Sequence, residues 1–237
     1  MNRLFSSAQL KAILRLSLVV LAGGGPALAA ITMVQSHGVN TSNSTVTNAF
    51  VSNTVKGNLI IACVDFGNST NFVGVTDSQA NSFIQIASEV TSSGASIKAR
   101  CYYAKNIVGG ADTVTFTVSS TTTVDSYIHE VSGVDYYAPF DQSCTNTSTA
   151  TSVSCNVTTT FATDIVFGFS YTAGTTSAGS GFTQDLNTNT NITEHKFVTT
   201  IGTYSVTATS TSSAGCTLIA GTFKAPLTFF TKRRDDP

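Results

Sequence analysis

Short apolar runs alternate with threonine, serine and asparagine along most of the chain, with a period of two residues. Residues 114–118 and 204–209 show the pattern, because each carries a hydroxyl-bearing side chain at every second position. A strand that buries one face and exposes the other requires this period. The pattern therefore predicts an all-β fold whose exposed faces are covered by hydroxyls and amides rather than by charges.

The predicted strands recur at regular intervals with turn signals between them, which is typical of a sandwich or barrel. The nearly continuous apolar run 164–171 predicts a central strand that is buried on both faces. No segment after residue 30 has a sustained helical period, so we predict an antiparallel two-sheet β-sandwich. Its predicted strands are 31–35, 45–51, 59–66, 72–76, 82–88, 97–105, 113–118, 124–131, 164–171, 192–200, 203–210 and 216–223.

The first thirty residues have the composition of an export signal. A basic segment precedes the apolar stretch 16–22, and Ala27-Leu-Ala29 forms a small-x-small cleavage site. The apolar stretch is shorter than the ~20 residues that span a bilayer, so no membrane span is expected after cleavage. We therefore predict a secreted or cell-surface protein with a signal peptide at 1–30, one domain at 31–225 and a short tail at 226–237.

Charged residues make up only 11% of the chain, and the formal net charge is −1. An ordinary globular domain carries about 25% charged residues. Apart from the short basic run 232–234, the sequence lacks the clustered lysine and arginine of a nucleic-acid interface, so no nucleic-acid partner is expected.

Five cysteines occur in this exported chain. Cys144 and Cys155 lie in a region rich in threonine and serine, and we predict a disulfide between them across a hairpin or loop. Cys63, Cys101 and Cys216 lie within apolar runs, where small buried hydrophobic residues are expected. A disulfide between two of these three, with the third thiol free, is the alternative.

Six short motifs follow one another along nearly the whole domain: GNLIIA at 57–62, VTDSQANSF at 75–83, YAKNIVGGA at 103–111, EVSGVD at 130–135, PFD at 139–141 and AGSGF at 178–182. In order and spacing they resemble a family of bacterial secreted, jelly-roll-like (concanavalin-like) β-sandwich domains of cell-surface proteins. The resemblance implies fold and exported location but little about activity, because these domains mostly lack an assigned function. The chain has no tryptophan, which the family pattern places near Phe83 and Cys216.

No residue pattern predicts catalysis, a cofactor or a metal site. There is no Gly-x-Ser-x-Gly motif, and neighbouring residues of a strand face opposite sides, so His129 and Glu130 cannot act as one unit. We predict that Glu130 is a hydrogen-bonded strand residue. The chain has enough aspartates for the two carboxylates of a glycosidase, but no two of them stand out as a pair. The cysteine spacing does not fit zinc, and residues 77–81 hold too few carboxylates for calcium.

Two functional hypotheses follow. The first is a non-enzymatic structural or adhesive module of the bacterial cell exterior, with other cell-surface proteins as partners. The alternative is a lectin-like domain that binds glycans through a loop, since tyrosine offers a flat apolar face with a hydroxyl group. Its candidate ligand-binding residues are Asp135, Tyr136, Tyr137 and Asp141. A secreted hydrolase is less favoured, because it needs a pocket in which a histidine meets a serine or a carboxylate.

Overall fold

The computed structural model describes residues 30–227, so the predicted signal peptide before Ala30 and the tail beyond Leu227 lie outside the described residues. Within this range the chain forms strands and no helix, so no helix long and apolar enough to cross a membrane occurs there. The strands are β1 (Thr32–Ala49), β2 (Leu59–Gly67), β3 (Phe72–Asp77), β4 (Phe83–Gln85), β5 (Val90–Thr91), β6 (Ile97–Ala104), β7 (Thr113–Ser132), β8 (Phe140–Ser148), β9 (Ser152–Thr158), β10 (Asp164–Thr172), β11 (Thr176–Ser177), β12 (Thr183–Thr188), β13 (Asn191–Val198), β14 (Thr203–Ser210) and β15 (Cys216–Lys224).

These strands form three antiparallel sheets. Sheet I has the order β1-β7-β2-β6-β4, with β3 also paired to β7 and β5 to β6. Sheet II has the order β12-β13-β10-β15-β8, and sheet III has the order β11-β14-β9. The packing of sheet I on sheet II confirms the predicted antiparallel sandwich, and sheet III is an additional layer that the sequence pattern does not predict.

The central core lies between sheets I and II. Alternate residues of β2, such as Leu59 and Ile61, meet Phe167 and Phe169 of β10 in one apolar cluster. The other face of β10 is also buried, since Val166 belongs to a second cluster beneath sheet III. The predicted central strand at 164–171 is therefore confirmed as one that is buried on both faces.

Two further cores flank the central one. One of them lies on the outer face of sheet I. There Phe116, from the first half of β7, packs with Ile60 and Val64 of β2. Strand β2 pairs with the second half of β7, so the first half must fold over this face. Sheet III covers the outer face of sheet II, where Val206 and Ala208 of β14 pack on Leu218 of β15. Apolar residues therefore point to both sides of the central strands, as a layered fold requires.

The structure corrects some strand predictions. The predicted segments 113–118 and 124–131 are one strand, β7, and the predicted segments 31–35 and 45–51 both fall in β1, which has register shifts at Met33/Gln35 and Asn43/Thr45. Strands β8 and β9 occupy the cysteine region for which no strand was predicted. Their serine, threonine and asparagine residues obscure the alternation, because few apolar residues mark the buried face.

Two disulfides join described residues. Cys144 of β8 is bonded to Cys155 of β9, the pair that the sequence predicts, and this bond links sheet II to sheet III. Cys63 and Cys101 are direct cross-strand partners on β2 and β6 and form the second disulfide. Cys216 is a buried free thiol. The alternative of one pair and one free thiol thus applies, because the strand register places Cys63 opposite Cys101.

Candidate functional site

A pocket of about 370 Å³ lies between sheet II and the end of sheet III. Its walls come from three parts of the chain: the loop after β11, strand β13 of sheet II and strand β14 of sheet III. Several of its hydroxyl groups face solvent, so the pocket is open to a ligand from outside. The lining residues are Ser180, Phe182, Lys196, Thr203, Tyr204, Ser205 and Thr207.

A lysine flanked by two aromatic rings is the main chemical feature of the pocket. The Nζ atom of Lys196 lies 5.7 Å from the ring centroid of Phe182 and 5.8 Å from that of Tyr204. These distances are within the range of cation–π attraction. Among residues 30–227, no carboxylate lies within ion-pair distance of Lys196. Its ammonium is therefore held in place by the rings while its charge stays available to a ligand.

The backbone and hydrogen bonds around the pocket fix this arrangement. The hydroxyl of Tyr204 donates to the carbonyl of Thr200 at 2.6 Å, which orients the ring. Gly181 has a φ of +76°, and a Cβ at this position would lie only 3.2 Å from Nζ of Lys196. Glycine tolerates this left-handed conformation without strain and leaves room for the ammonium. The pocket is thus formed before a ligand arrives.

Glu194 lies beneath the pocket, two residues before Lys196 on the same face of β13. It is 1% exposed, and its Oε2 accepts a hydrogen bond from the backbone N–H of Gly179 at 2.6 Å. Its Oε1 has no hydrogen-bond partner among the described residues. Burial raises the pKa of Glu194 to about 7. Hydrogen bonds from the N–H groups of Gly179 and Thr207 lower this pKa, but the effect of burial is larger. Glu194 therefore anchors the loop that carries Phe182.

Aromatic rings, hydroxyls and a cation in one open pocket suit a sugar. Ring faces pack against the apolar C–H groups of a pyranose, and the hydroxyls of Ser180, Thr203 and Ser205 can exchange hydrogen bonds with sugar hydroxyls. The ammonium of Lys196 adds attraction for a carboxylate. Among the described residues, the pocket lining contains no acid, base or nucleophile besides this lysine and the hydroxyls. The arrangement can bind and orient a ligand.

The four residues of the predicted loop site have different surroundings in the structure. Tyr136 and Tyr137 are adjacent and exposed, with ring centroids 4.9 Å apart in an edge-on arrangement. The Oδ1 of Asp135 accepts hydrogen bonds from the N–H groups of Tyr137 and Ala138, each at 2.8 Å. Asp135 therefore shapes the loop, as aspartate commonly does in turns.

Asp141 belongs to a different cluster from the two tyrosines. It accepts hydrogen bonds from the backbone N–H and the hydroxyl of Thr160. Beside it lies Asp164, which is 1% exposed and has no hydrogen-bond partner among the described residues. Burial and the neighbouring charge of Asp141 raise the pKa of Asp164 to about 7. The positive charge of Lys224 lowers this pKa by a smaller amount. Asp141 is therefore bound to Thr160, whereas the two tyrosines are exposed on their loop.

Two histidines lie within hydrogen-bond distance of a serine or a carboxylate, as a hydrolase would require, but neither histidine lines the pocket. Nδ1 of His129 lies 2.8 Å from Oγ of Ser36, and Nδ1 of His195 lies 2.7 Å from Oδ1 of Asp185. His129 is fully buried against the ring of Phe167, and His195 is 7% exposed. Burial, reinforced by His195, lowers the pKa of His129 to about 3, so this ring stays neutral in the core. Each pair leaves one buried atom, Nε2 of His129 or Oδ2 of Asp185, without a hydrogen-bond partner among the described residues.

Glu130 is the hydrogen-bonded strand residue that the sequence predicts. It is fully buried and accepts hydrogen bonds from the side chains of Gln35 and Asn58 and from the backbone N–H of Val55, at 2.6–2.7 Å. His129 faces sheet II, whereas Glu130 points to the loops on the opposite side. The two side chains therefore lie on opposite faces of β7, as the alternation of the strand predicts.

Two buried aspartates lie side by side on neighbouring strands of sheet I. Asp65 and Asp125 are cross-strand partners on β2 and β7 and are 1% and 2% exposed. Asn191 donates to Asp65 at 2.7 Å, while Asn40 and Asn189 donate to Asp125 at 2.5 and 2.9 Å. Burial, with the charge of Asp125, raises the pKa of Asp65. The pair therefore ties sheet I to the β12–β13 turn.

Sequence reasoning missed the pocket because its residues, all between 180 and 207, belong to a loop and to strands of two different sheets and become neighbours only when sheet III packs on sheet II. The one available signal was Lys196, a rare charge within a strand of a chain that carries 11% charged residues. The motif at 178–182 already marked the loop of Phe182, but not its partners.

No protein-family model matches the chain, no curated protein is significantly similar to it, and no solved structure matches it significantly. The resemblance to secreted cell-surface domains therefore stays a prediction, and function must be inferred from the residues themselves.

Proposed function

We propose that this chain is an exported, non-catalytic module of the cell exterior that binds an acidic saccharide in the pocket of Phe182, Lys196 and Tyr204. The observation that carries the proposal is an ammonium without a carboxylate partner among the described residues, held between two aromatic rings and surrounded by hydroxyls. Binding a cell-wall or surface polysaccharide there gives the module an adhesive role. The pocket replaces the loop tyrosines as the sugar site.

Two features support the exported location. Disulfides persist in oxidising compartments and are rare in the cytosol, and this chain holds two of them. The predicted signal peptide at 1–30 agrees with them. The intact mass of the protein recovered from outside the cell tests this point, with an expected first residue at Ala30 or Ile31.

The proposed binding is tested on an array that presents acidic and neutral saccharides. We expect the processed chain to bind carboxylated glycans and to lose at least about tenfold in affinity when Phe182 or Tyr204 becomes alanine. Lys196→Met should remove the preference for acidic over neutral sugars, because it keeps the length of the stem and deletes the charge. Phe197→Ala is the matched control, since Phe197 is an aromatic residue that is 45% exposed and does not line the pocket.

Three results would contradict the proposal. They are an array without any bound saccharide, pocket variants that bind like the parent chain, or binding that is lost with Tyr137→Ala instead. Circular dichroism of each variant establishes that the fold is retained.

A further inference from the structure

Three loops meet at one end of sheet I and form a continuous surface. The backbone N–H of Gly57 donates to the carbonyl of Ile107 at 2.9 Å, and Nζ of Lys105 donates to the carbonyl of Tyr137. The ring of Tyr136 packs beside Gly57. We call this surface the tip; its members are exposed side chains from the three loops, namely Val55, Lys56, Lys105, Val108, Tyr136 and Tyr137.

The tip exposes large apolar side chains close together. Val55 and Val108 are 56% and 55% exposed, and Tyr136 and Tyr137 are 41% and 78% exposed. Single exposed apolar residues are ordinary on a protein surface, but a cluster rimmed by polar groups marks an interaction site. The valines offer nothing for a sugar to hydrogen-bond, so this surface differs in kind from the pocket.

The charged side chains that the tip exposes are positive. Lys56 and Lys105 are both exposed. The nearby carboxylates bind groups within the protein. Asp135 accepts hydrogen bonds from its own loop backbone, and Asp77 binds the side chain of Asn81 at 2.7 Å. Glu130 is fully buried. A negatively charged surface is therefore complementary to the tip.

We propose that the tip docks on a lipid bilayer that carries anionic headgroups. Tyrosines favour the membrane–water interface, where the ring is apolar and the hydroxyl is wet, and lysines extend their charge to the headgroups. Valines between them insert into the upper acyl region. The sequence that follows Leu227 also combines aromatic and basic residues, with Phe229, Phe230 and the basic run 232–234, which Asp235 and Asp236 follow. The proposal is independent of saccharide binding, because no tip residue lines the pocket.

Vesicle co-sedimentation of the processed full chain tests this proposal. We expect binding to vesicles of phosphatidylcholine with phosphatidylglycerol, weaker binding at high salt, and little binding to phosphatidylcholine alone. The double substitution Val108→Ser with Tyr137→Ala should reduce partitioning by about tenfold or more, because two inserted apolar groups are lost. Val73→Ser is the matched control, since Val73 is 65% exposed on β3.

Removing the basic tail separates its contribution from that of the tip. A chain ending at Leu227 should still show the loss caused by the double substitution. Equal sedimentation of the tip variant and the parent chain, or a parent chain that does not bind anionic vesicles at low salt, would overturn the proposal. Self-association that is abolished by the same double substitution, in the absence of vesicle binding, would identify a second copy as the partner instead.

Discussion

The pocket and the tip both contain lysine and tyrosine, but in different surroundings. In the pocket, Lys196 lies between two half-buried rings and hydroxyls surround it. At the tip, Tyr137 and two valines are exposed on loops, with lysines beside them. A pocket that holds a cation among rings and hydroxyls recognises one oriented ligand, whereas an exposed apolar surface suits a fluid partner. The enclosure of the pocket and the valines of the tip together separate the two proposed functions.

The disulfide between sheets II and III should affect the pocket far more than the tip. Replacing Cys144 and Cys155 by serine reopens a loop of 11 residues, which lowers the free energy of unfolding by about 3 kcal/mol on the chain-entropy model. Because sheet III forms one pocket wall, saccharide affinity should fall while vesicle binding stays unchanged. Urea unfolding and the two binding assays measure these effects. An equal loss in both assays would show that the two regions are not independent.

The buried carboxyl beneath the pocket should make stability depend on pH. Its folded pKa of about 7 lies above the ordinary value of 4.5, so the folded chain keeps a proton that the unfolded chain releases. The free energy of unfolding therefore falls as pH rises from about 4.5 to 7, by on the order of 3 kcal/mol, and is constant above that window.

The variants Glu194→Gln and Asp164→Asn should each remove a comparable part of the pH dependence, since the pKa of Asp164 is also about 7. Urea unfolding at several pH values provides the measurement. A slope that is unchanged in the double variant would contradict these assignments.

Single substitutions in the two regions should have reciprocal effects. Tyr204→Ala should weaken saccharide binding about tenfold, equivalent to about 1.4 kcal/mol, and leave vesicle binding unchanged. Tyr137→Ala should do the reverse. Isothermal titration with the best saccharide and co-sedimentation with anionic vesicles measure the two effects. If one substitution impaired both activities, a single shared surface would replace the two that we propose.

The smallest effect is expected at Asp135. Its carboxylate accepts two backbone hydrogen bonds within its own loop, and an asparagine side chain can accept the same bonds. Asp135→Asn should therefore change saccharide affinity by less than about twofold, with a stability change within about 0.5 kcal/mol. A large loss of saccharide binding would restore Asp135 as a ligand residue.

Local patterning predicted the sandwich better than it predicted its surfaces. The apolar run at 164–171 identified the central strand, because burial on both faces removes polar residues from a strand. The strand β14 was predicted at 203–210, but its partner β9 and their packing as a third layer were not, because few apolar residues mark the buried face of β9. The Cys63–Cys101 bond depends on strand register, and the pocket depends on the packing of two sheets. Neither relation is visible in local sequence, so Lys196 and Tyr204 could not be paired in advance.

Amide chemical shifts of the processed chain during titration with a carboxylated oligosaccharide test the central claim most directly. The proposal predicts saturable shifts confined to residues 178–182, 194–197 and 203–207. Shifts centred on residues 135–138, or no shifts at saccharide concentrations that saturate the array, would contradict it.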